Sequence, residues 1–236
     1  MQSDETTRVL VVAAHPDDPD FGCAGTMALW AKQGKEIYYL LSTRGDKGSN
    51  DRSMTSERLA PLREQEQRAA AAIVGVKEVS FLDLKDGELM PDLRFRGEVT
   101  KAIRKYRPYA VFTHDPTVVI NLNLFLNHPD HRATGQATLD AIYPTARDHL
   151  QFPEQVREGL EPHKVTEIYL FGSFEPNFWV DITETIEKKI EALSQHKTQF
   201  ADFEAVASRV RERARLAGQS QGVAYAEAFR RIIMGR

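Results

Sequence analysis

Short apolar runs alternate with longer helical patterns over the first two thirds of the chain. The run Arg8–Ala14 (RVLVVAA) is rich in β-branched residues and shows no alternation, which is typical of a strand buried on both faces. Four more runs have strand character, namely Glu36–Ser42, Glu78–Leu82, Tyr109–Thr113 and Glu167–Phe171. Helical spacing is found between the earlier runs, at Phe21–Lys32, Thr55–Val74 and Asp92–Tyr106.

Strands that alternate with helices in this way predict βαβ units with right-handed crossovers. The expected fold class is therefore α/β, with a Rossmann-like, doubly wound and mostly parallel sheet that carries helices on both faces. From residue 182 to residue 236 the pattern becomes helical, and helices are predicted over Thr183–Ala217 and Val223–Met234. Because no linker or repeat interrupts the sequence, we expect one domain over residues 1–236 that ends in this helical segment.

Composition and charge limit the class of protein. The net charge of −3 gives no global positive field that would attract nucleic acid or an anionic membrane. No apolar run approaches the roughly 20 residues of a membrane span, and the polar start MQSDETTRVL lacks the layout of a signal peptide. We therefore expect a cytoplasmic protein. Cys23 is the single cysteine, so any metal ion must be held by histidines and carboxylates.

Histidines and aspartates are concentrated in two loops that follow predicted strands. The segment AHPDD (residues 14–18) follows the first strand, and the segment HPDH (residues 128–131) follows the strand Tyr109–Thr113. In an open parallel sheet, ligands bind outside the carboxyl ends of the strands. A catalytic zinc ion needs three nitrogen or oxygen ligands and a position for water, which these loops can supply together. Either loop alone is more typical of a helix-capping turn, but the pair at one sheet edge favours a metal site.

The pair AHPDD and HPDH resembles the signature of the LmbE-like (PIG-L) family of zinc-dependent N-deacetylases. Softer landmarks extend the resemblance over most of the chain, at Ser42–Gly45, Arg63–Glu66, Asp83–Leu89, Asn177–Thr183 and His196–Gln199. The resemblance implies one Zn²⁺ per chain, with another divalent metal ion as the alternative. It also implies removal of an N-acetyl group from a small amino sugar or glycoconjugate, such as an N-acetylglucosamine derivative. It is also compatible with a homo-oligomer.

The resemblance implies a role for each residue of the two loops. The residues at the positions of the family's zinc ligands are His15, Asp18 and His131. Asp17 would be the general base that activates a metal-bound water for attack on the amide. His128, if protonated, would stabilise the oxyanion, and Asp130 would orient or charge His128.

Three further residues match the family's substrate-binding landmarks, namely Arg63, Asp86 and His196. Other interpretations remain open for each of them: a surface charge on a helix for Arg63, a turn residue for Asp86, and a helix-surface histidine for His196. His114, at the end of a predicted strand, is interpreted as a hydrogen-bonded structural histidine.

Two departures from the family pattern bear on function. Pro19 stands where family members usually have Glu, which puts the support around Asp18 in question. The segment Thr117–Leu126 is long and apolar where relatives often have a shorter loop with glycine. We favour a buried strand or an oligomer contact for this segment, and the alternative is an apolar wall for a hydrophobic aglycone.

Two other functions remain as alternatives. A zinc amidase acting on a thiol conjugate or another N-acyl metabolite would use the same site. A non-catalytic Rossmann-like module that binds a sugar or nucleotide would belong to a different class. The segment Phe21–Gly25 after the first strand is not the three-glycine phosphate loop, and a binding module has no need of Asp17. The enzyme interpretation explains both loops and is therefore preferred.

Overall fold

The computed structural model describes residues 7–121 and 125–235. Its strands, in chain order, are β1 (Arg8–Ala13), β2 (Glu36–Thr43), β3 (Glu78–Leu84), β4 (Ala110–His114), β5 (Ile120–Asn121), β6 (Phe125–Leu126), β7 (Glu167–Phe171), β8 (Phe178–Asp181) and β9 (Ala226–Ile233). Its helices are α1 (Asp18–Lys32), α2 (Ser56–Val74), α3 (Leu93–Tyr106), α4 (Pro129–Ile142), α5 (Pro153–Arg157), α6 (Ile186–Leu193) and α7 (Phe203–Gln219).

Seven of the described strands form one sheet in the order β3-β2-β1-β4-β7-β9-β8. The pairs β3–β2, β2–β1, β1–β4 and β4–β7 are parallel, whereas β9 is antiparallel to both of its neighbours. The predicted mostly parallel sheet is therefore confirmed. The five predicted strands agree with β1, β2, β3, β4 and β7 to within about two residues, the usual uncertainty of such boundaries.

Helices cover both faces of this sheet, as the doubly wound fold requires. On β1, Val9 and Val11 pack into a core with residues of α1 and α2 such as Met27. The alternate residues of β1, Leu10 and Val12, pack on the other face with residues of α3 and α4. The apolar run without alternation thus corresponds to a strand whose two faces are both buried.

The C-terminal segment differs from the prediction. The single helix expected over Thr183–Ala217 is divided into α6 and α7, and the helix expected over Val223–Met234 is wrong, because Ala226–Ile233 form strand β9. The Ala, Glu and Arg residues there have helical propensity, but pairing with β7 on one side and β8 on the other overrides it. The buried Glu227 is part of the reason, since its carboxylate accepts hydrogen bonds from Thr26 and Lys189.

The apolar segment before HPDH also differs from the favoured interpretation. Residues 120–121 and 125–126 form the short antiparallel pair β5–β6, and residues 122–124 lie outside the described part of the chain. Val118 is buried, but Val119, Ile120 and Leu126 are exposed. The residues of this segment whose burial is described therefore do not form the buried strand that was expected, and an oligomer contact or an apolar wall stays a prediction. Among the described helices, none combines the length and apolar character of a transmembrane segment.

Candidate metal centre

The two loops rich in histidine and aspartate meet at the carboxyl ends of β1 and β4. These strands are adjacent in the sheet, yet the chain leaves β1 toward β2 on the other side, so the site occupies a topological switch point. A cavity of about 380 Å³ opens there. It is lined by His15, Asp17, Asp18, Phe21, Lys47, Gly48, Arg63, Asp86, Gly87, His128 and His131. The structure thus brings together all five residues predicted as zinc ligands, general base and oxyanion stabiliser.

Asp18 lies between the two histidines that were predicted to share a metal ion with it. Its Oδ2 is 3.3 Å from His15 Nδ1, and its Oδ1 is 3.1 Å from His131 Nε2. The His15 main-chain N–H also donates to Asp18 Oδ2 at 2.7 Å. His15 and His131 belong to one group of potential ligand atoms within 4.8 Å of one another, completed by His128. Asp18 and His131 form another such group with His114.

The second nitrogen of His15 faces two carboxylates. His15 Nε2 lies 3.1 Å from Asp86 Oδ1 and 3.2 Å from Asp130 Oδ2. Burial opposes a charge on this imidazole, but hydrogen bonds to Asp130, Asp18 and Asp86 outweigh it and raise the pKa of His15 to about 12. A metal ion at Nδ1 would displace one proton of this ring, and Nε2–H would then stay bound to the carboxylates.

The Asp130 carboxylate, which was expected to orient or charge His128, contacts His15 and a neighbouring loop. It accepts hydrogen bonds from the main-chain N–H groups of Gly87 at 2.7 Å and Leu89 at 3.2 Å, in addition to its contact with His15. His128 is contacted by the main-chain N–H of Asp130, not by the carboxylate. The sequence alone does not locate the loop around Gly87, so these partners of the carboxylate were not predicted.

Asp86 also has partners within the protein. In addition to His15, its carboxylate accepts the main-chain N–H of Lys47 at 2.8 Å. Asp86 is only 5% exposed, and these hydrogen bonds lower its pKa to about 2 although burial alone would raise it. It lines the cavity, but the structure gives it a role in holding His15 that the sequence did not reveal.

His131 is oriented by a residue that the sequence analysis did not assign to the site. Asn127 Oδ1 lies 3.2 Å from His131 Nδ1, which leaves His131 Nε2 directed at Asp18. The Asn127 side-chain amide in turn donates to the carbonyl of Val118 at 2.9 Å. The only signal for Asn127 is its position directly before HPDH.

His114 fits the predicted structural role. Its ring stacks on that of His131, with centroids 4.2 Å apart, and its Nε2 accepts the main-chain N–H of Ala14 at 3.2 Å. Burial lowers the pKa of His114 to about 4, and the nearby His131 adds to this effect. The hydrogen bond from Ala14 occupies the lone pair that a metal ion would need, so His114 is a poor ligand although it lies 3.4 Å from Asp18.

Asp17 faces Arg63, which was predicted to bind substrate. Arg63 is 4% exposed and donates to Asp17 Oδ2 at 3.1 Å, to the carbonyl of Pro16 at 2.6 Å and to the carbonyl of Gly45 at 2.8 Å. Its guanidinium group is thus largely engaged by the protein. Burial raises the pKa of Asp17 to about 6, and the charge of Arg63 opposes this shift.

His128 is exposed at the mouth of the cavity and is the N-cap of α4. Its Nδ1 accepts the main-chain N–H of Asp130 at 3.1 Å, and its ring lies edge-on to that of His15 with centroids 4.8 Å apart. Partial burial and the proximity of His15 lower the pKa of His128. A lowered pKa favours the neutral ring, whereas the role inferred from the sequence required a protonated His128.

His196 is neither a substrate contact nor a helix-surface histidine, the two interpretations that the sequence left open. It is fully buried, and its Nε2 is 2.8 Å from Asp20 Oδ2. A side chain with no exposed surface cannot contact a substrate from solvent, and it is not a surface histidine either. Because the chain after α6 folds back onto the start of α1, His196 is placed behind the cavity wall.

Comparisons with known proteins find a matching family and similar chains. The family described as PIG-L, GlcNAc-PI de-N-acetylase, matches residues 10–142. The diacetylchitobiose deacetylase of Thermococcus kodakarensis is 32% identical over 96% of this chain and 83% of its own length. The mycothiol S-conjugate amidase of Streptomyces coelicolor is 29% identical over 67% of this chain and 59% of its own length. The structure of N,N'-diacetylchitobiose deacetylase from Pyrococcus horikoshii superposes with a TM-score of 0.89 at 32% identity, covering 96% of this chain and 84% of that one.

Proposed function

Because this chain belongs to the PIG-L family of de-N-acetylases, we propose that it is a zinc-dependent hydrolase that removes the acetyl group from an N-acetylated amino sugar or glycoconjugate. One observation carries the proposal: His15, Asp18 and His131 converge in a cavity that also holds Asp17 and His128. The family relationship favours this enzyme over a non-catalytic binding module.

The side chains fit a zinc ion. Zinc accepts imidazole nitrogen and carboxylate oxygen, and catalytic sites use three protein ligands with a further position left open. His15 Nδ1, the Asp18 carboxylate and His131 Nε2 would hold it, with their other atoms held by Asp130, Asp86 and Asn127. Carboxylates lie on both sides of the His15 ring and raise its pKa. The same carboxylates would favour the positive charge of a metal ion at this point.

Asp17 has the properties of the proton carrier in amide hydrolysis. When bound, zinc would polarise the amide carbonyl and lower the pKa of a coordinated water. Asp17 would accept the proton released as water attacks the carbonyl carbon and would return it to the departing amine. A carboxylate with a pKa of about 6 suits both steps near neutral pH, because it binds a proton readily and also releases it. The products are a free amine and acetate.

His128 would donate a hydrogen bond to the oxyanion without being protonated beforehand. Its Nδ1 accepts the Asp130 N–H, so the proton of the neutral ring lies on Nε2. A neutral imidazole can therefore present an N–H donor to the developing negative charge. The lowered pKa of His128 favours the neutral ring that this step requires.

The volume and the lining of the cavity are compatible with a sugar. Its volume of about 380 Å³ is within the range of roughly 300–1,000 Å³ that is common for small-molecule sites. Phe21 contributes an aromatic ring that is 37% exposed, beside the polar groups that would bind hydroxyls. The similarity to a mycothiol S-conjugate amidase favours a thiol conjugate as a second candidate substrate class.

The proposal is tested by zinc content and acetate release measured on the same purified protein. The panel contains N-acetylglucosamine, diacetylchitobiose, N-acetylglucosaminyl malate and an N-acetylated thiol conjugate. We expect about one zinc per chain, as for a single three-ligand site, and acetate release that stops on addition of a chelator. The His15→Ala variant should lose zinc and activity, whereas replacement of the exposed His149 by Ala should change neither. Zinc-loaded protein that releases acetate from no member of the panel would contradict the proposed substrate classes.

A further inference from the structure

The loop that carries Asp17 has a strained backbone. Asp17 has φ 86° and ψ −30°, a left-handed conformation that residues other than glycine adopt at an energetic cost. Such a conformation persists only where surrounding contacts hold it. The contacts that hold Asp17 therefore also determine where its carboxylate lies.

Two side chains of α2 form hydrogen bonds with this loop. Arg63 Nη2 donates to the Pro16 carbonyl and to Asp17 Oδ2. Gln67, one helical turn later and on the same face, accepts the main-chain N–H of Asp17 at its Oε1 over 2.9 Å. Arg63 acts on both the charge and the position of Asp17, whereas Gln67 is neutral and contacts its main chain.

Asp20 binds the nitrogen of the Gln67 amide. Gln67 Nε2 donates to Asp20 Oδ2 at 2.9 Å. Because the Asp17 main-chain N–H can only donate, it takes the amide oxygen, and the amide nitrogen of Gln67 is then the group that faces Asp20. His196 Nε2 lies 2.8 Å from the same Asp20 oxygen, and Gln67, Asp20 and His196 are all 0% exposed. At such a depth water does not easily replace a lost partner, so the loss of one of these hydrogen bonds would leave a buried polar group unpaired.

The segment that carries His196 is itself fixed to α2. The Thr198 main-chain N–H and hydroxyl donate to the Glu66 carboxylate at 2.8 Å and 2.7 Å. The network therefore joins the start of α1, the middle of α2 and the chain after α6 behind the Asp17 loop. It does not reach the cavity, because Gln67, Asp20 and His196 are absent from the described lining.

We infer that Gln67, Asp20 and His196 are positioning residues that hold Asp17 in its reactive orientation. The catalytic part of this inference rests on the proposed function, in which Asp17 is the general base. The structural part, that Gln67 holds the Asp17 backbone, does not depend on the reaction. The two parts call for two separate measurements.

The test compares Gln67→Met with the wild type in the zinc-loaded, full-length protein. Methionine keeps the length of the side chain but accepts hydrogen bonds only weakly. Hydrogen exchange of the peptide over residues 14–21 should be at least about 10-fold faster at the Asp17 amide, because its hydrogen bond is lost. On a substrate from the acetate-release panel, kcat should fall about 10- to 100-fold, while KM and zinc content stay within about twofold.

Gln155→Met is the matched control. Gln155 is also buried, its amide bridges Arg104 and the Gly97 carbonyl, and it lies beside α3 on the other face of the sheet. This variant should lose stability in urea without faster exchange over residues 14–21 and without a lower kcat.

Asp20→Asn is a second test of the inference. It preserves the shape of the side chain but permits the Gln67 amide to rotate, so it should change the exchange rate and kcat in the same direction as Gln67→Met.

Each result decides part of the inference. Unchanged exchange at Asp17 in Gln67→Met overturns the inference, whatever the activity. Faster exchange with an unchanged kcat overturns the catalytic part, and so does a loss confined to zinc content or KM. A wild-type protein that is inactive on the whole panel contradicts the proposed function, and the exchange measurement then still decides whether Gln67 holds Asp17.

Discussion

The two adjacent aspartates of the first loop differ in what their carboxylates contact. Asp18 lies between His15 and His131, whereas Asp17 lies beside Arg63. Asp17 has a positive φ of 86°, and the two neighbouring carboxylates have different partners, as the two roles proposed for them require. A substitution at Asp17 that preserves this backbone should therefore separate proton transfer from metal binding.

Asp17→Asn is the appropriate substitution, because asparagine tolerates positive φ better than alanine does. We expect kcat to fall at least about 100-fold through loss of the general base, with zinc content near that of the wild type. Asp83→Asn is the control, since Asp83 also has positive φ (56°) but pairs with Arg44 outside the cavity. An Asp17→Asn enzyme with full activity would remove Asp17 from the role of base.

Asp130→Asn distinguishes the role read from the sequence from the one indicated by the structure. Because the carboxylate holds His15 Nε2, the variant should bind zinc about 10- to 100-fold more weakly, as measured by competition with a chelating dye. Asp140→Asn, on the same helix and paired with Arg96, should bind zinc normally. If Asp130 served His128 instead, kcat would fall at saturating zinc and the zinc affinity would not change.

The sequence predicted that the residues of the two histidine- and aspartate-rich loops would meet at one edge of the sheet. His15, Asp17, Asp18, His128 and His131 all line one cavity, as the two loops predicted. The contacts of Arg63, Asp86, Asp130 and His196 were not predictable, because each depends on a loop or helix whose approach is set by tertiary packing. Asn127 and Gln67 have ordinary helix-cap and helix-surface sequence contexts, and only their partners reveal what they do.

At the scale of elements, the start of α1 accounts for the departure at Pro19. Proline is well suited to the first turn of a helix, where its missing N–H would have no intrahelical partner. A buried carboxylate is still present one residue later, at Asp20, and it is bound by Gln67 and His196. Support for the loop is therefore retained, but it reaches Asp17 through Gln67.

Gly135 allows α4 to pack closely against the end of β4. A Cβ at this position would lie 2.4 Å from the main-chain oxygen of His114, which cannot rotate away. Gly135→Ala should lower the free energy of unfolding by about 1–3 kcal/mol, although alanine favours helix by up to about 1 kcal/mol. Because His131 is on the same helix one turn earlier, zinc affinity should fall as well. Urea denaturation and dye competition measure the two effects.

The neighbouring substitution Gln136→Ala controls for a new alanine in α4. Gln136 is exposed, so the variant should keep both stability and zinc affinity close to the wild type. If the Gly135→Ala variant were as stable as the Gln136→Ala variant, α4 could move away from β4 without a loss in the free energy of unfolding. The ligand geometry would then not depend on this close approach.

The elements themselves could be predicted where local pattern and tertiary environment agree. The parallel strands β1, β2, β4 and β7 are continuous apolar runs because helices cover both of their faces. Strand β9 was not predictable, because its sequence AEAFRRII places a glutamate in the core and two arginines in the middle of the strand. The partner that makes Glu227 acceptable is Lys189, 38 residues earlier in the chain, and no local pattern reveals that pairing.

At the scale of the whole molecule, the candidate metal site exists only in the folded chain. Its two halves come from loops so distant that the contact between His15 and Asp130 spans 115 residues of sequence. The sheet order brings them together, because β1 and β4 are neighbours while β2 and β3 lie on the far side of β1. A ligand that binds the native state alone stabilises it in proportion to the logarithm of its concentration.

Zinc should therefore raise the thermal unfolding temperature. At a free zinc concentration about 1,000 times the Kd, the native state gains about 4 kcal/mol, which for a chain of this size corresponds to roughly 8–16 °C. Differential scanning calorimetry with zinc and with EDTA measures the shift. Asp17→Asn should retain the shift because Asp17 is proposed as the general base and not as a ligand, and His15→Ala should lose most of it. If EDTA left the wild-type transition unchanged, or if both variants shifted equally, His15 would not belong to a site that couples zinc binding to the fold.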